Sequence, residues 1–195
     1  MAQLPGGAFA KGRDRIVRIA DPGGTRLAPA SHGSGVISGT YTSPASATML
    51  NFKGLTQAEF SPSPTSQEFF LLGDSGYRDS VGVTQAGELA CTSFFINSLN
   101  GSGEAQGDVD PTLTLVLNAE SDPDVEIYVE MLTLLGQDSS SNFLYFTRAF
   151  QACVTDVSEA APSDGLIEYS WTFQSRGEVF VGTLNNSTSE IDIYA

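Results

Sequence analysis

A chain of 195 residues and 20.6 kDa suits one domain with a full core, and its 41% hydrophobic content is that of a globular protein. Nine basic residues against 23 acidic ones give a net charge of −14, which argues against ordinary attachment to nucleic acid or to an anionic membrane surface, since both require cations. Only 16% of residues are charged, and 23 Ser and 16 Thr fill the polar share, a surface better suited to extensive protein contact than to free solubility.

Taken from the N-terminus, residues 1–35 read as an extended, irregular arm. Gly and Pro recur (Pro5-Gly6-Gly7, Pro22-Gly23-Gly24, Pro29), with one short apolar patch at Ile16-Val17-Arg18-Ile19. Residues 1–26 hold five basic and two acidic residues, a net of +3, and the remainder is −17. A basic arm on an acidic body can mate head to tail with a copy of itself. The order charged-then-apolar of an export signal is missing from Met1 to Ala10, so synthesis in the cytoplasm is expected. No apolar run approaches the ~20 residues of a membrane-spanning helix.

Residues 36–195 read as one β-rich domain, a sandwich or barrel with one short helix. Strands are expected over Val36–Thr42, Asn51–Phe60, Glu68–Leu72 and Glu88–Ile96, with loops rich in Ser, Gly and Pro at 43–50, 61–66, 100–109 and 137–142. Asp110 followed by Pro111 predicts a helix N-terminus, with Leu113, Val116 and Leu117 on one stripe and Pro123 blocking extension past Asp122. Next, Val125, Ile127, Val129 and Met131 alternate with Glu126, Tyr128 and Glu130. Phe143–Cys153 carries aromatics on both parities, as a strand buried on both faces does. The clearest alternation is Leu166–Gln174. Its period of two puts Ile167, Tyr169, Trp171 and Phe173 on a core face and Glu168, Ser170, Thr172 and Gln174 on a polar one. Arg176-Gly177 signals a turn and Glu178–Leu184 a hairpin return strand. Apolar on both faces near Val179-Phe180-Val181, that strand has one side free to meet another subunit.

Chemistry-bearing constellations are absent from the sequence pattern. The single histidine, His32, lies in the arm without partners at ligand spacing. Asp122-Pro123-Asp124 lacks the alternation and closing Glu of a calcium loop. Gly73-Asp74-Ser75-Gly76 reads as a turn rather than a nucleophile elbow. Cys91 and Cys153 are too few for a disulfide framework and are expected as buried free thiols. No catalytic residue, cofactor or metal is assigned, and the chain reads as a non-enzyme.

One family resemblance emerges. Phe69-Phe70-Leu71-Leu72-Gly73-Asp74-Ser75-Gly76-Tyr77-Arg78-Asp79-Ser80-Val81, leading into Gly87-Glu88-Leu89-Ala90-Cys91-Thr92-Ser93, resembles the "LLGD-G…DS" stretch and following strand of major tail tube proteins of long-tailed, siphovirus-like bacteriophages. The order of the C-terminal half is similar too: a short helix, the strand Val125–Leu132, an aromatic strand, and a polar–aromatic strand ending at Phe173…Gly177. The resemblance spans roughly residues 65–185. It implies a virion tail protein whose copies form hexameric rings stacked into a tube that conducts DNA at ejection. Its partners would be itself, the tape measure and terminator proteins, and DNA in non-adhesive passage, with no membrane. Under that resemblance Glu126, Glu130 and Glu168 are candidates for an acidic lumen, and Arg13, Arg15 and Arg18 for contact between rings. Rival readings are another virion component, such as a tail terminator or head-decoration protein, and a cell-surface β-sandwich binding module.

Overall fold

The polar–apolar alternations of the sequence become strands of one large antiparallel sheet. The computed structural model describes residues 15–21, 40–42, 49–70, 78–95, 97–99, 105–122, 124–177, 179–185 and 190–193. In chain order these form β1 (Arg15–Ala20), β2 (Thr40–Thr42), β3 (Leu50–Asn51), β4 (Leu55–Phe70), β5 (Arg78–Phe94), β6 (Asn97–Leu99) and β7 (Ala105–Val109). There follow α1 (Pro111–Ser121), β8 (Ile127–Gln137), β9 (Phe143–Ala160), β10 (Glu168–Ser175), β11 (Phe180–Asn185) and β12 (Glu190–Ile193). The all-β class is therefore as the sequence predicts, with one short helix among the described residues. β6 and β7 pair with each other, and the other ten strands share the main sheet.

Strand β9 organises that sheet. One of its edges carries β8, in register from Ile127↔Ala152 to Gln137↔Phe143. Its other edge carries β10 opposite 152–160 and then β11 opposite 144–149. β10 and β11 thus run onward along β9 in one direction, with the backbone bond Arg176 N to Gln151 O (2.7 Å) between them. This corrects the expected hairpin. Gly177, at φ +108°, does not reverse the chain; it sits at a break in register, with Ser175 paired to Ala152 and Phe180 to Ala149. From β10 the sheet continues through β5 to β4, from β11 through β12 to β2, and from β8 to β1 and β3.

The sheet then closes on itself. The segment containing β3 and β4 pairs with β1 at Leu50 and Asn51, donates from Phe52 N to Val17 O, and pairs with β5 from Leu55 onward. One stretch of chain therefore touches both ends of the order β1-β8-β9-β10-β5, which makes that part a rolled barrel rather than two separate sheets. Inside lie Val17 and Ile19 from β1, Leu89 and Cys91 from β5, and Ile127, Val129 and Met131 from β8. Phe150, Ala152 and Val154 from β9 and Trp171 and Phe173 from β10 complete the wall, with Val116 and Ala119 of α1 packed against them. Phe52 tilts against Trp171 with ring centroids 5.2 Å apart, and Trp171 meets Phe173 edge-on at 6.1 Å. The helix is capped as its sequence dictates: Asp110 Oδ1 accepts from Thr112 N at 2.9 Å, with Pro at the first helical turn.

Three other expectations are corrected. The patch Ile16–Ile19, read as part of the arm, is strand β1, paired along its length with β8, because Val17 and Ile19 have a core to enter. The remainder of the arm lies largely outside the described residues. The loop predicted at 61–66 is strand: Pro62 pairs with Gly87 and Pro64 with Gln85 inside β4, where an outer strand tolerates the missing donors. The strand near Val179–Val181, expected to keep one apolar side for another subunit, turns Val179 into the barrel core, and Phe180 on its other side is covered as well. Phe180 is buried with Ala20, Tyr128, Leu132, Ala149 and Leu184 on the opposite face of β8, β9 and β11. The predicted turn at Gly73–Gly76 and His32 lie outside the described residues.

Two measurements check this packing. A Cβ on Gly87 would stand 2.4 Å from the Phe60 ring, so Gly87→Ala is expected to lower stability by about 1–3 kcal/mol in denaturant titration. Burial pushes the Cys91 thiol up to about 12, whereas Cys153 is only half-buried, which corrects the expectation of two buried thiols. A maleimide should therefore label Cys153 in the native protein and Cys91 only after unfolding; native labelling of Cys91 would contradict the barrel interior.

Candidate assembly surface

Alternation on a closed barrel sends every second side chain outward, so register determines which polar residues meet. On the wall made by β4, β5, β10 and β9 the outward rows are legible from the pairing. Gln57 lies beside Thr92, Ser170 and Ser158; Glu59 beside Ala90, Thr172 and Thr155; Ser61 beside Glu88, Gln174 and Cys153. Glu168 ends the β10 row between Phe94 and Ala160. The hydroxyls knit this wall together: Thr92 Oγ1 and Ser170 Oγ are 3.0 Å apart, and Thr56 Oγ1 donates to Thr92 O at 3.1 Å. Carboxylates (Glu59, Glu88, Glu168) punctuate a field of Ser, Thr and Gln, and these rows contain no Lys or Arg.

The residues singled out from the sequence separate here. Glu168 sits on this wall, half-buried. Glu126 is half-buried before β8, 3.8 Å from Arg176 Nη1. Glu130 is fully buried and cannot line open water, which corrects its assignment to a lumen. The cause is local. Arg18 stands opposite it in register, the Arg18 guanidinium Nε donates to Glu130 Oε2, and the Tyr128 hydroxyl donates to Glu130 Oε1. Arg18 is correspondingly spent inside the protomer and is not a free arm residue. Arg15 is exposed and donates from Nη1 to Ala58 O at 3.1 Å, while Arg13 lies outside the described residues.

Of the expected core face of β10, Trp171 and Phe173 are buried, at 2% and 0% exposure. Tyr169 is half-buried at the rim, its hydroxyl donating to Glu159 Oε2 at 2.8 Å; that bond, more than desolvation, raises its pKa. Ile167 is 38% exposed and precedes the strand, so it is not core; its carbonyl accepts from Phe95 N instead. Sequence reasoning missed Glu59 and Glu88. Both were findable, since each alternates with apolar neighbours (Ala58 and Phe60; Leu89 and Cys91) whose inward parity sends the acid outward.

The far end of the β4–β5 hairpin has its own geometry. Beyond Ser61↔Glu88 its ladder runs on to Phe70↔Arg78, past the last β10 pairing at Gln174↔Glu88. Gly87 N donates to Ser175 Oγ at 2.8 Å where the hairpin leaves the wall. Between β8 and β9, Asp138 forms the turn by accepting from Ser140 N, Asn142 N and Asn142 Nδ2, and these bonds hold its carboxyl below the usual range. Among the described residues no group of three or more His, Cys, Asp or Glu is placed to hold a metal, and no helix is long and apolar enough to cross a membrane.

No protein-family model matches the chain, and no curated protein matches it significantly. Among solved structures it is similar to a chain in the tail of an empty gene transfer agent particle refined with C6 helical symmetry, at 12% identity and TM-score 0.47 over 89% of this chain and 98% of that one. A chain of the native gene transfer agent virion is similar at 11% identity and TM-score 0.47, over 89% and 98% respectively. The SPP1 tail tube, from solid-state NMR and cryo-electron microscopy, is similar at 13% identity and TM-score 0.47, over 91% and 79%.

The buried pair gives a direct test. Arg18→Met leaves Glu130 buried without its cationic partner, and is expected to cost about 3–5 kcal/mol in urea unfolding; Arg18→Met combined with Glu130→Gln should recover part of that loss. A cost for Arg18→Met within the ordinary surface range would place Glu130 in solvent.

Proposed function

We propose that this protein is a structural subunit of a phage tail tube, assembling into hexameric rings that stack into a conduit for DNA, with the β4-β5-β10-β9 wall toward the bore. The observation that carries this reading is the chemistry of that wall: hydroxyls, amides and the carboxylates Glu59, Glu88 and Glu168, with no cation in the paired rows. A polyanion adheres through Lys and Arg and slides past a surface that offers neither cations nor large apolar contacts. Such a surface is wasted on a monomer but suits a passage.

Self-assembly is favoured by the strand edges. Among the described residues, β4 pairs only with β5, which leaves the outer margin of a 16-residue strand unpaired. An edge of that length is a liability for an isolated domain and an asset for one that joins its neighbours. The sequence resemblance over residues 65–185 supplies the tube, the six-fold ring, and the tape measure and terminator proteins as partners within the virion. The protein acts by shape and charge, without catalysis or a cofactor.

The experiment is electron microscopy of the purified protein followed by DNA binding to its polymer. Stacked rings forming tubes are expected, and these tubes should not retain duplex DNA in a filter assay at moderate salt. Tubes carrying Glu59→Lys, Glu88→Lys and Glu168→Lys should retain it, in a salt-dependent manner. A species monomeric at every concentration would overturn the assembly, and wild-type tubes that hold DNA firmly would overturn the placement of the wall.

A further inference from the structure

The barrel has a second charged feature, of opposite sign. Arg148 projects from β9 on the same parity as the core residues Phe150, Ala152 and Val154. Its guanidinium carbon lies 5.0 Å from the centroid of the Phe60 ring and 4.8 Å from that of Phe146. Among the described residues no carboxylate pairs with it, and the charge it does sense is another cation, Arg15. Burial first, and then Arg15, push its pKa below the ordinary arginine value. In a protein with 23 acidic residues, neither Arg148 nor Arg15 is paired with a carboxylate among the described residues. Two other described cations are engaged, Arg18 with Glu130 and Arg176 with Glu126.

Stacking against rings occupies the faces of a guanidinium. Its N–H donors lie in the plane and point past the ring edges, in the fork that matches a carboxylate. The two rings lie against the Arg148 guanidinium, and among the described residues no carboxylate takes up its donors. Beside Arg15, between β1 and β4, is a cleft of about 380 Å³ lined by Arg15, Ile16, Val17, Leu55, Gln57 and Ala58. Around this cleft β1 and β4 do not pair with each other. Among the described residues the segment through β3 reaches β1 at Val17, Arg18 and Ile19, and β4 pairs with β5. The cleft has room for a short extended segment alongside Arg15.

We infer that Arg15, which lines this cleft and donates to Ala58 O, and Arg148, held over Phe60 two residues further along β4, are a docking site for a carboxylate-bearing segment of a second copy of the chain. Charge complementarity selects that occupant. Outside residues 1–26 the chain carries 21 acidic and four basic residues, so a neighbouring copy offers carboxylates in excess to the few cations able to receive them. The inference rests on the self-assembly proposed above and names one of its contacts. The arriving carboxylate would neutralise the like-charge pair, so the site is costly in the free subunit and favourable in the polymer.

The test compares wild type with Arg148→Gln by sedimentation for the concentration at which polymer appears, and by thermal melting of the dissociated subunit. The variant is expected to melt at or above the wild-type temperature yet to need at least about tenfold more protein to assemble at low salt, with the difference shrinking at high salt. Assembly of the variant at the wild-type threshold overturns the inference while the tube reading stands. A wild type that never assembles overturns both. Should Arg148→Gln fail to fold, the exposed Arg15→Gln carries the same comparison with the same two outcomes. A site for a free anion would show itself differently: inorganic phosphate or acetate would raise the wild-type melting temperature while both variants assembled normally, and that result also overturns the inference.

Discussion

Strand β9 has to satisfy two edges and two faces along 18 residues, and much of the molecule follows from how it does so. Its first half lies between β8 and β11 and its second half is continued by β10. A strand so flanked sees apolar neighbours on both sides, which is why Phe143–Cys153 carries bulky residues on both parities. Phe150 and Ala152 enter the barrel while Ala149 joins Tyr128, Phe180 and Leu184 on the reverse face. Without β9 the barrel and the outer layer would be unconnected sheets.

That arrangement explains why some elements were legible in the sequence and others were not. The helix was, because its cap, its first-turn proline and its stripe are all local. So were β8 and the core of β10, where Trp171 and Phe173 alternate with polar residues that reach solvent. The continuation of β10 into β11 was not. Arg176-Gly177 looks the same in a tight hairpin as in a bulge, and only the partner strand determines which forms. Pro62 and Pro64 read as loop because nothing nearby reveals that β4 is outermost. Glu130 alternates as a surface acid would, and its burial depends on Arg18, 112 positions away.

The candidate surface was partly visible for the same reason. Glu168 was exposed by its own strand's period, and Glu59 and Glu88 obey the same rule. That these three fall on one wall free of cations is a property of register between strands, which composition does not encode. Arg148 is the mirror case. A single arginine amid aromatics suggests nothing by itself, and its meaning arises when the closed barrel brings Phe60, Phe146 and Arg15 around it. Negative and positive features thus occupy different parts of one rolled sheet, an arrangement in which copies attract in some orientations and repel in others.

Pro62 and Pro64 in β4 carry a further consequence. Two positions two residues apart send their backbone nitrogens to the same side of a strand, and both lack hydrogen there. A foreign strand sliding along this margin would meet a gap in the donor series about 7 Å long. Continuous cross-β zipping along this edge is interrupted at that point. The same two residues that disguise β4 in the sequence therefore confine any edge-to-edge pairing to the stretches on either side of them.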